Sequence, residues 1–564
     1  MQGVRGRVRA EQRGARAGLA ALLGVAVAAA LLVQPAGPAA ADEVVQVAYP
    51  TAAGPAAAQV GDIFDVDVTT TSPGSVEGAI RPVGGGDWQA LDIVTLTPEV
   101  QPGTAAATAI VPEGTPTGTY DLRVQLTQDG AVVGEDVVAG GLIVEDYGFT
   151  SGFEDRDGAS WTTEAEEYEF LEQLAASPRV AIDVLGSTVQ GRPMHLVRVG
   201  HPRPPSVADA AADGPVMMVC SQHGNEPAPR EACLRALRRL AFTRDTRTTE
   251  YLSDTTVFVI PTANPDGRAA NSRTNADGFD LNRDHLRLAT PEARLMGEAL
   301  RDVRPDFFGD LHEFGTSSPS RPALEVIWGR HLNIDEGVRA IAREWGDQWV
   351  RPRAEANGFS TGPYVANPGT GENVTILNAA ALRHAVAWLT ETRTSALPGE
   401  PSDTASVQRR RVATNDMNIH ESLRFHRVNA DRIAAAVDAA RAAKTAQGLH
   451  AEGPYFFYGN SEDPQDPPPP DSYLERTPCG YLLTPEQTAT VQHWIDIYDV
   501  HTVAVGRRTY VPMGQEAQPV IGLMLDDRSA GSHEVAGDPW PDRLPNVAVR
   551  CHTDGLGFRS IIRP

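Results

Sequence analysis

Basic residues, cysteines and long apolar runs are all scarce in this chain of 564 residues, and each shortage excludes something. Lysine and arginine together number 49 against 73 aspartates and glutamates, a formal charge of −24. Nucleic-acid binding draws its affinity from cations that release phosphate counterions, so nucleic acid is excluded as the main partner. Lys444 is the sole lysine, a bias that reports a GC-rich coding genome rather than a function. Four cysteines are too few for a disulfide-built scaffold, and no Cys-x-x-Cys occurs, which excludes a thiolate-held metal knuckle. Cys479 and Cys551 lie close enough to pair. Cys220 and Cys233 read equally well as small buried apolar residues, so the connectivity stays open. A hydrophobic share of 41% and a charged share of 22% exclude a wholly disordered chain and a multi-span membrane protein.

The N-terminal apolar run, Leu19 to Val33, falls short of the about 20 residues that a bilayer crossing needs. Arg5, Arg7, Arg9, Arg13 and Arg16 precede it, and Ala39-Ala40-Ala41 follows. That pattern is an export signal over residues 1–41, cleaved before Asp42. The expected product is a secreted, acidic protein with no transmembrane anchor in its mature chain.

Three blocks follow. From 42 to 146 the pattern has period two: Tyr120, Leu122, Val124 and Leu126 alternate with polar residues, and Asp129-Gly130 supplies a hairpin turn. This predicts a small, immunoglobulin-like β-sandwich of the accessory kind, for which cell-wall material is a candidate partner. From 147 to 447 short apolar strands (Val216–Cys220, Thr256–Ile260, Phe307–Leu311, Ala385–Thr390) alternate with helices, the last at Arg432–Ala443. The alternation predicts an α/β fold, a mixed and mostly parallel sheet with helices on both faces. From 448 to 564 a small α+β appendage is expected, with a proline-rich spacer at 463–470, a helix over Thr484–Tyr498, and strands at Thr502–Val505 and Val520–Leu525.

The chemistry concentrates in the middle block. His223-Gly224-Asn225-Glu226 follows a strand and precedes a helix, where open α/β sheets bind ligands. Imidazole and carboxylate from one short loop suit Zn²⁺, and Phe307 to His312 is a second apolar strand ending in histidine. His223, Glu226 and His312 would form a His₂Glu set with a fourth position open for water. Asn264-Pro265-Asp266-Gly267 lies between them, followed by Arg273-Thr274-Asn275-Ala276-Asp277-Gly278-Phe279-Asp280-Leu281-Asn282-Arg283. Two arginines beside such a site suggest an anionic substrate group, which guanidinium grips bidentately. Glu391, in Leu389-Thr390-Glu391, stands near the end of an apolar strand, where a general base could sit.

Read in order, these five segments resemble the zinc metallocarboxypeptidases, the carboxypeptidase A/B/E superfamily, over roughly residues 150–445. Leu185 to Pro193 is similar to that family's opening strand pair, with Thr188 at the serine position. The wording His-Gly-Asn-Glu and Asp-Leu-Asn-Arg is closer to the carboxypeptidase E-like branch. The resemblance implies one zinc per chain on His223, Glu226 and His312, with Glu391 as the base that takes the proton of zinc-bound water. It implies that Arg273 polarises the scissile carbonyl, that Asn282 and Arg283 hold the terminal carboxylate, and that Asp280 orients a ligating histidine. The implied activity is removal of C-terminal residues from peptides or proteins. Two positions depart from the family's wording: Asp284 follows Arg283, bringing a negative charge, and Glu313 follows His312. Tyr364 is the nearest upstream candidate for the family's loop tyrosine, and Val374, Thr375 and Ile376 are candidate lining for the side-chain pocket, with Glu372 its one unpaired acid. Three readings are weighed: a carboxypeptidase; a zinc amide hydrolase of other specificity, acting on N-acyl amino acids or peptidoglycan stem peptides; and an inactive binding module.

Overall fold

The computed structural model describes residues 44–97, 99–364, 374–457, 473–526, 529 and 548–549. The export segment, the proline-rich 463–470 stretch, Glu372 and Cys551 lie outside the described residues. Among the described residues no helix is long and apolar enough to cross a membrane. The chain divides into two units, the first taking in the chain up to Tyr147 with Pro205–Asp213 and Phe242–Thr255, the second Gly148–Pro204, Gly214–Ala241 and Thr256–Pro564.

In the first unit the alternating residues become two sheets over one core. Strands Val45–Tyr49, Ile63–Thr70, Gly103–Ile110 and Ile93–Val94 make one sheet. Ala56–Gln59, Ala131–Glu145, Gly118–Gln128, Ser75–Pro82 and Gln89–Leu91 make the other. Phe64, Val66 and Val68 from one sheet share a buried cluster with Leu122, Val124 and Leu126 from the other. Asp129 and Gly130 both have positive φ, 49° and 77°, as a tight hairpin turn matched to strand twist requires.

The second unit is built on an eight-stranded sheet. Its strands are β1 (Val180–Ser187), β2 (Pro193–Val199), β3 (Val216–Cys220), β4 (Val257–Ile260), β5 (Phe307–Phe314), β6 (Leu324–Trp328), β7 (Thr361–Pro363) and β8 (Val386–Arg393), in the order β1-β2-β4-β3-β5-β8-β6-β7. The β4–β3, β3–β5, β5–β8 and β6–β7 pairings are parallel, and the other three antiparallel. The mixed α/β fold expected from the sequence is what forms. β3 is a continuous apolar run, and β5 and β8 open on apolar runs and stay almost wholly buried, because helices cover a parallel sheet and leave no wet side. The helices that matter below are α1 (Glu164–Leu174), α2 (Ala228–Phe242), α3 (Pro265–Ala270), α4 (Pro291–Val303), α5 (Ile376–Leu382) and α6 (Thr404–His450).

Two expected elements differ. α6 runs for 47 residues rather than over Arg432–Ala443 alone. Its first half buries Thr414, Asn415, Asn418, Glu421 and His426, so polar residues occupy core positions and the apolar period is hidden. Val520–Leu525 is not a strand but the end of a helix, Gln518–Leu525, with every residue buried. A short apolar run buried on all sides carries no period to tell helix from strand. The same region contains a helix at Pro485–Ile497 and a four-stranded sheet that includes Val503–Val505.

Candidate active site

The site forms where β3, β4, β5 and β8 end. After β3, Ser221 turns the chain with φ of 50°, and the loop to α2 carries His223 and Glu226. Gly224 packs on Gly267, the last residue of Asn264-Pro265-Asp266-Gly267. A Cβ at Gly224 would stand 1.9 Å from the carbonyl carbon of Gly267, so only glycine fits. Asn264 caps α3, accepting from Gly267 N (2.9 Å) and donating to the carbonyls of Gln222 and Arg273. Asp266 reaches to the β1–β2 turn, accepting from Thr188 Oγ1 (2.9 Å), Gln190 N (2.9 Å) and Arg192 Nη1 (2.7 Å). The separate sequence motifs are therefore one hydrogen-bonded frame. Cys220 and Cys233 form a disulfide, which settles the reading left open above, and its ring encloses both His223 and Glu226. Cys479 is also disulfide-bonded.

Three buried side chains converge inside this frame. Glu226 Oε1 lies 2.8 Å from His223 Nδ1, Glu226 Oε2 lies 2.8 Å from His312 Nδ1, and the two Nδ1 atoms are 3.1 Å apart. Each imidazole turns its other nitrogen to a carboxylate: His223 Nε2 to Asp280 Oδ1 at 3.0 Å, and His312 Nε2 to Asp310 Oδ1 at 2.9 Å. Burial alone would raise the Glu226 carboxyl, but the two imidazoles outweigh it and hold the group below its ordinary range. Burial alone would likewise lower His312, yet Asp310 and Glu226 raise it well above the usual imidazole value. Two Nδ1 atoms and a carboxylate within 4.8 Å of one another, each histidine backed by an acid, are the donor set and outer support that Zn²⁺ takes. Arg273 already brings positive charge there, with Nη1 3.2 Å from His223 Nδ1 and 3.5 Å from Glu226 Oε1.

Glu391 stands directly beside His312 in the β5–β8 register. Its Oε2 is buried and has no hydrogen-bond partner. Burial first, then the charge of Glu226, pushes its pKa up to about 8, against opposing contributions from His312 and Arg273. On the other side of Glu391, across the β8–β6 pairing, stands Glu325, wholly buried and gripped by Arg321 through Nε at 2.7 Å. Tyr364 follows β7, where its N–H donates to Val326 O, and its phenol is pushed up to about 12 by burial and then by Glu391. Residues 365–373 are outside the described residues, so the structure places Tyr364 but not the rest of that loop. Val374, Thr375 and Ile376 are buried, and two of them hold the opposite loop: Val374 O accepts from His285 N and Ile376 N donates to Asn282 Oδ1.

The two residues expected to share a carboxylate are placed differently. Arg283 is partly exposed, with Nη1 on its neighbour's carbonyl. Asn282 is buried. Its Nδ2 donates to Asp310 Oδ2 (3.3 Å) and lies 3.0 Å from His312 Nε2, while its Oδ1 receives Ile376 N at 3.0 Å.

A family model described as zinc carboxypeptidase matches residues 167–314. Over this segment the chain is similar to the zinc carboxypeptidases. A probable carboxypeptidase 2 of Trichophyton verrucosum is 30% identical over 32% of this chain and 38% of its own length. Carboxypeptidase E of Caenorhabditis elegans is 26% identical over 24% and 33%. The chain thus spans little more than a third of the curated relatives it matches. Among solved structures, a metallo-carboxypeptidase from Pseudomonas aeruginosa is 16% identical, with a TM-score of 0.39, over 70% of this chain and 99% of that one.

In this carboxypeptidase-like segment the two departures in wording have structural explanations. Asp284 caps the following turn, accepting from Ala289 N, Thr290 N and Thr290 Oγ1. Glu313, one residue past His312 on a strand, points to the opposite face. There it takes a bidentate pair from Arg411 (2.7 and 2.8 Å) and the N–H of Ala228 at the start of α2. Asp310 was missed in the motifs, although the two-residue period of β5 puts it on the same face as His312.

Proposed function

We propose that the protein is a zinc-dependent metallocarboxypeptidase that removes the C-terminal residue of peptides, with one zinc held by His223, Glu226 and His312. The observation that carries the reading is Glu391 Oε2: a buried, unpartnered carboxylate oxygen beside a zinc-ligand set. Such an atom costs stability where it stands, and that cost is what an active-site base retains. When bound, Zn²⁺ supplies a Lewis acid and lowers the pKa of water. Glu391 takes the proton of the attacking water and returns it to the leaving amine. Arg273, anchored to Asp280 through Nε and Nη2 at 3.0 Å, holds Nη1 beside the ligand set, from where it would stabilise the developing oxyanion. Arg283 grips the terminal carboxylate, and Asn282 steadies the loop beneath it.

Secretion after cleavage near Asp42 belongs to the same reading. The two sheets of the first unit carry no part of it. The test is a substrate panel of free-acid, C-terminally amidated and N-acyl-amino-acid compounds, run on wild type and Arg283→Ala. Free-acid peptides should be cleaved, and the variant should lose one to two decades of kcat/KM on them, the roughly 1.5–3 kcal/mol of a charge-assisted contact. Equal cleavage of amidated peptides, or an equal loss on every substrate, refutes recognition of the C-terminus. Turnover confined to N-acyl amino acids would select the deacylase reading in its place.

A further inference from the structure

Beyond the C-terminal end of α5 a cavity of about 70 Å³ opens among Arg301, Arg304, Arg383, Arg441, Tyr498 and Glu516. One water needs roughly 10–15 Å³ by such a measure, so the space admits a small polyatomic ligand. Its lining carries four arginines against two acids, Glu516 and the exposed Asp499. Three of the arginines have carboxylate partners: Arg301 with Asp302 (2.7 Å), Arg304 with Glu516 (2.7 Å) and Arg441 with Asp438 (3.4 Å) and Asp306 (3.6 Å). Arg383 has none among the described residues. Its Nη1 donates to Gly297 O at 3.3 Å, its guanidinium lies 4.1 Å from the Tyr498 ring centroid, and its Nε is buried without a hydrogen-bond partner.

A guanidinium withdrawn from water is expensive unless a counter-charge and acceptors meet it. An aromatic face, a hydrogen bond to Tyr498 and one long carbonyl contact still leave donors of the fork unused, the buried Nε among them. Burial, and after it the repulsion of Arg301 and Arg304, lowers the Arg383 pKa from its ordinary value, against an opposing contribution from Tyr498. The cavity therefore lacks negative charge at a fixed fork of donors, the geometry that matches a tetrahedral oxyanion. We propose that this cavity is a binding site for a small dianionic oxyanion of the phosphate or sulfate kind, held by Arg383 with support from Arg301 and Arg304. It is distinct from the candidate active site, and the proposal does not depend on the peptidase reading.

Calorimetric titration of the full chain with inorganic phosphate, sulfate and acetate at constant ionic strength tests it. Phosphate or sulfate should bind saturably, with a dissociation constant of about a millimolar or tighter, and acetate more weakly. Arg383→Gln should weaken binding roughly tenfold or more, the loss of a charge-assisted contact. Arg283→Gln, at the candidate active site, should leave binding within about twofold, since sites this separate act independently. If Arg383→Gln fails to fold by circular dichroism, Arg301→Gln carries the comparison, with a several-fold loss expected. The proposal is overturned by unchanged binding in the cavity variant that folds, by loss of binding in Arg283→Gln, or by acetate binding as tightly as phosphate. Absence of saturable heat up to about 10 mM overturns it too.

Discussion

Substituting Asp310 by asparagine keeps the size of a fully buried side chain and removes only its charge. Asp310 Oδ1 stands 2.9 Å from His312 Nε2, and Asp310 also accepts from Asn282 Nδ2 at 3.3 Å and Gln222 Nε2 at 3.4 Å. A ligating imidazole that loses its backing carboxylate becomes less basic and less firmly oriented. Such losses typically cost about 10–100-fold in metal affinity, or roughly 1.4–2.7 kcal/mol. Water does not reach Asp310, so Asp310→Asn should fall toward the larger end of that range. The Asp280 side chain keeps 24% of its exposure, and Asp280→Asn should fall toward the smaller end because solvent compensates in part. The two acids support different ligands, so the double variant should approach the product of the single effects. Equilibrium competition with a zinc-indicating chelator gives the dissociation constants directly. Zinc affinity within about twofold of wild type in folded Asp310→Asn would show that the carboxylate does not support the ligand, and the reasoning fails there.

Glu391→Gln should keep zinc and the fold while kcat falls by at least roughly 10²–10⁴-fold; retention of a substantial fraction of turnover removes Glu391 as the base. Arg411→Met leaves Glu313 buried and uncompensated, an expected loss of about 3–5 kcal/mol in urea unfolding, and Glu313→Gln in the same chain should restore much of it. A loss below about 1 kcal/mol would mean the Ala228 N–H already satisfies that carboxylate. Burial holds His384 down to about 4. The unfolded chain takes up that proton near the ordinary imidazole value of 6.5 and the folded one only near 4, so stability is complete above 6.5 and falls as the pH drops between them. At pH 5 the loss should be about 2 kcal/mol, and His384→Asn should flatten the dependence; an equally steep profile in that variant assigns it elsewhere.

What was legible in the sequence followed from burial of one kind. β3 is apolar throughout, and β5 and β8 open on short apolar runs, Phe307–Phe308 and Val386–Leu389, so each is marked in the sequence. His223 and His312 stand out because each follows such a run closely, and Glu226 because it shares the loop of His223. Glu391, two residues inside the end of β8, was found by its neighbours rather than by position. Harder to read were side chains whose partners come from distant segments. Glu325 and Arg321 have no local pattern that links them to Glu391, since their meeting depends on the β6–β8 register. Asn282 reads as a substrate contact in its motif, and its hydrogen bonds with Ile376 and Asp310 come from tertiary placement that no local pattern carries. The first half of α6 escaped because its buried positions are polar, and Val520–Leu525 because an apolar run buried on every side has no phase.

The ring closed by Cys220 and Cys233 gives the candidate metal loop a dependence on redox state that its ligands do not themselves have. With 13 residues of separation, closing it removes on the order of 3 kcal/mol of chain freedom from the unfolded loop. His223 and Glu226 both ride inside it, so two of the three ligands are tethered before any ion arrives. A dithiol reductant would then strike the site twice, opening the ring and competing for zinc through its own sulfurs. A phosphine, which reduces the bridge without offering a thiolate, separates the two effects. In a reducing compartment the ligand loop would rest on its hydrogen bonds and on the Gly224–Gly267 contact alone.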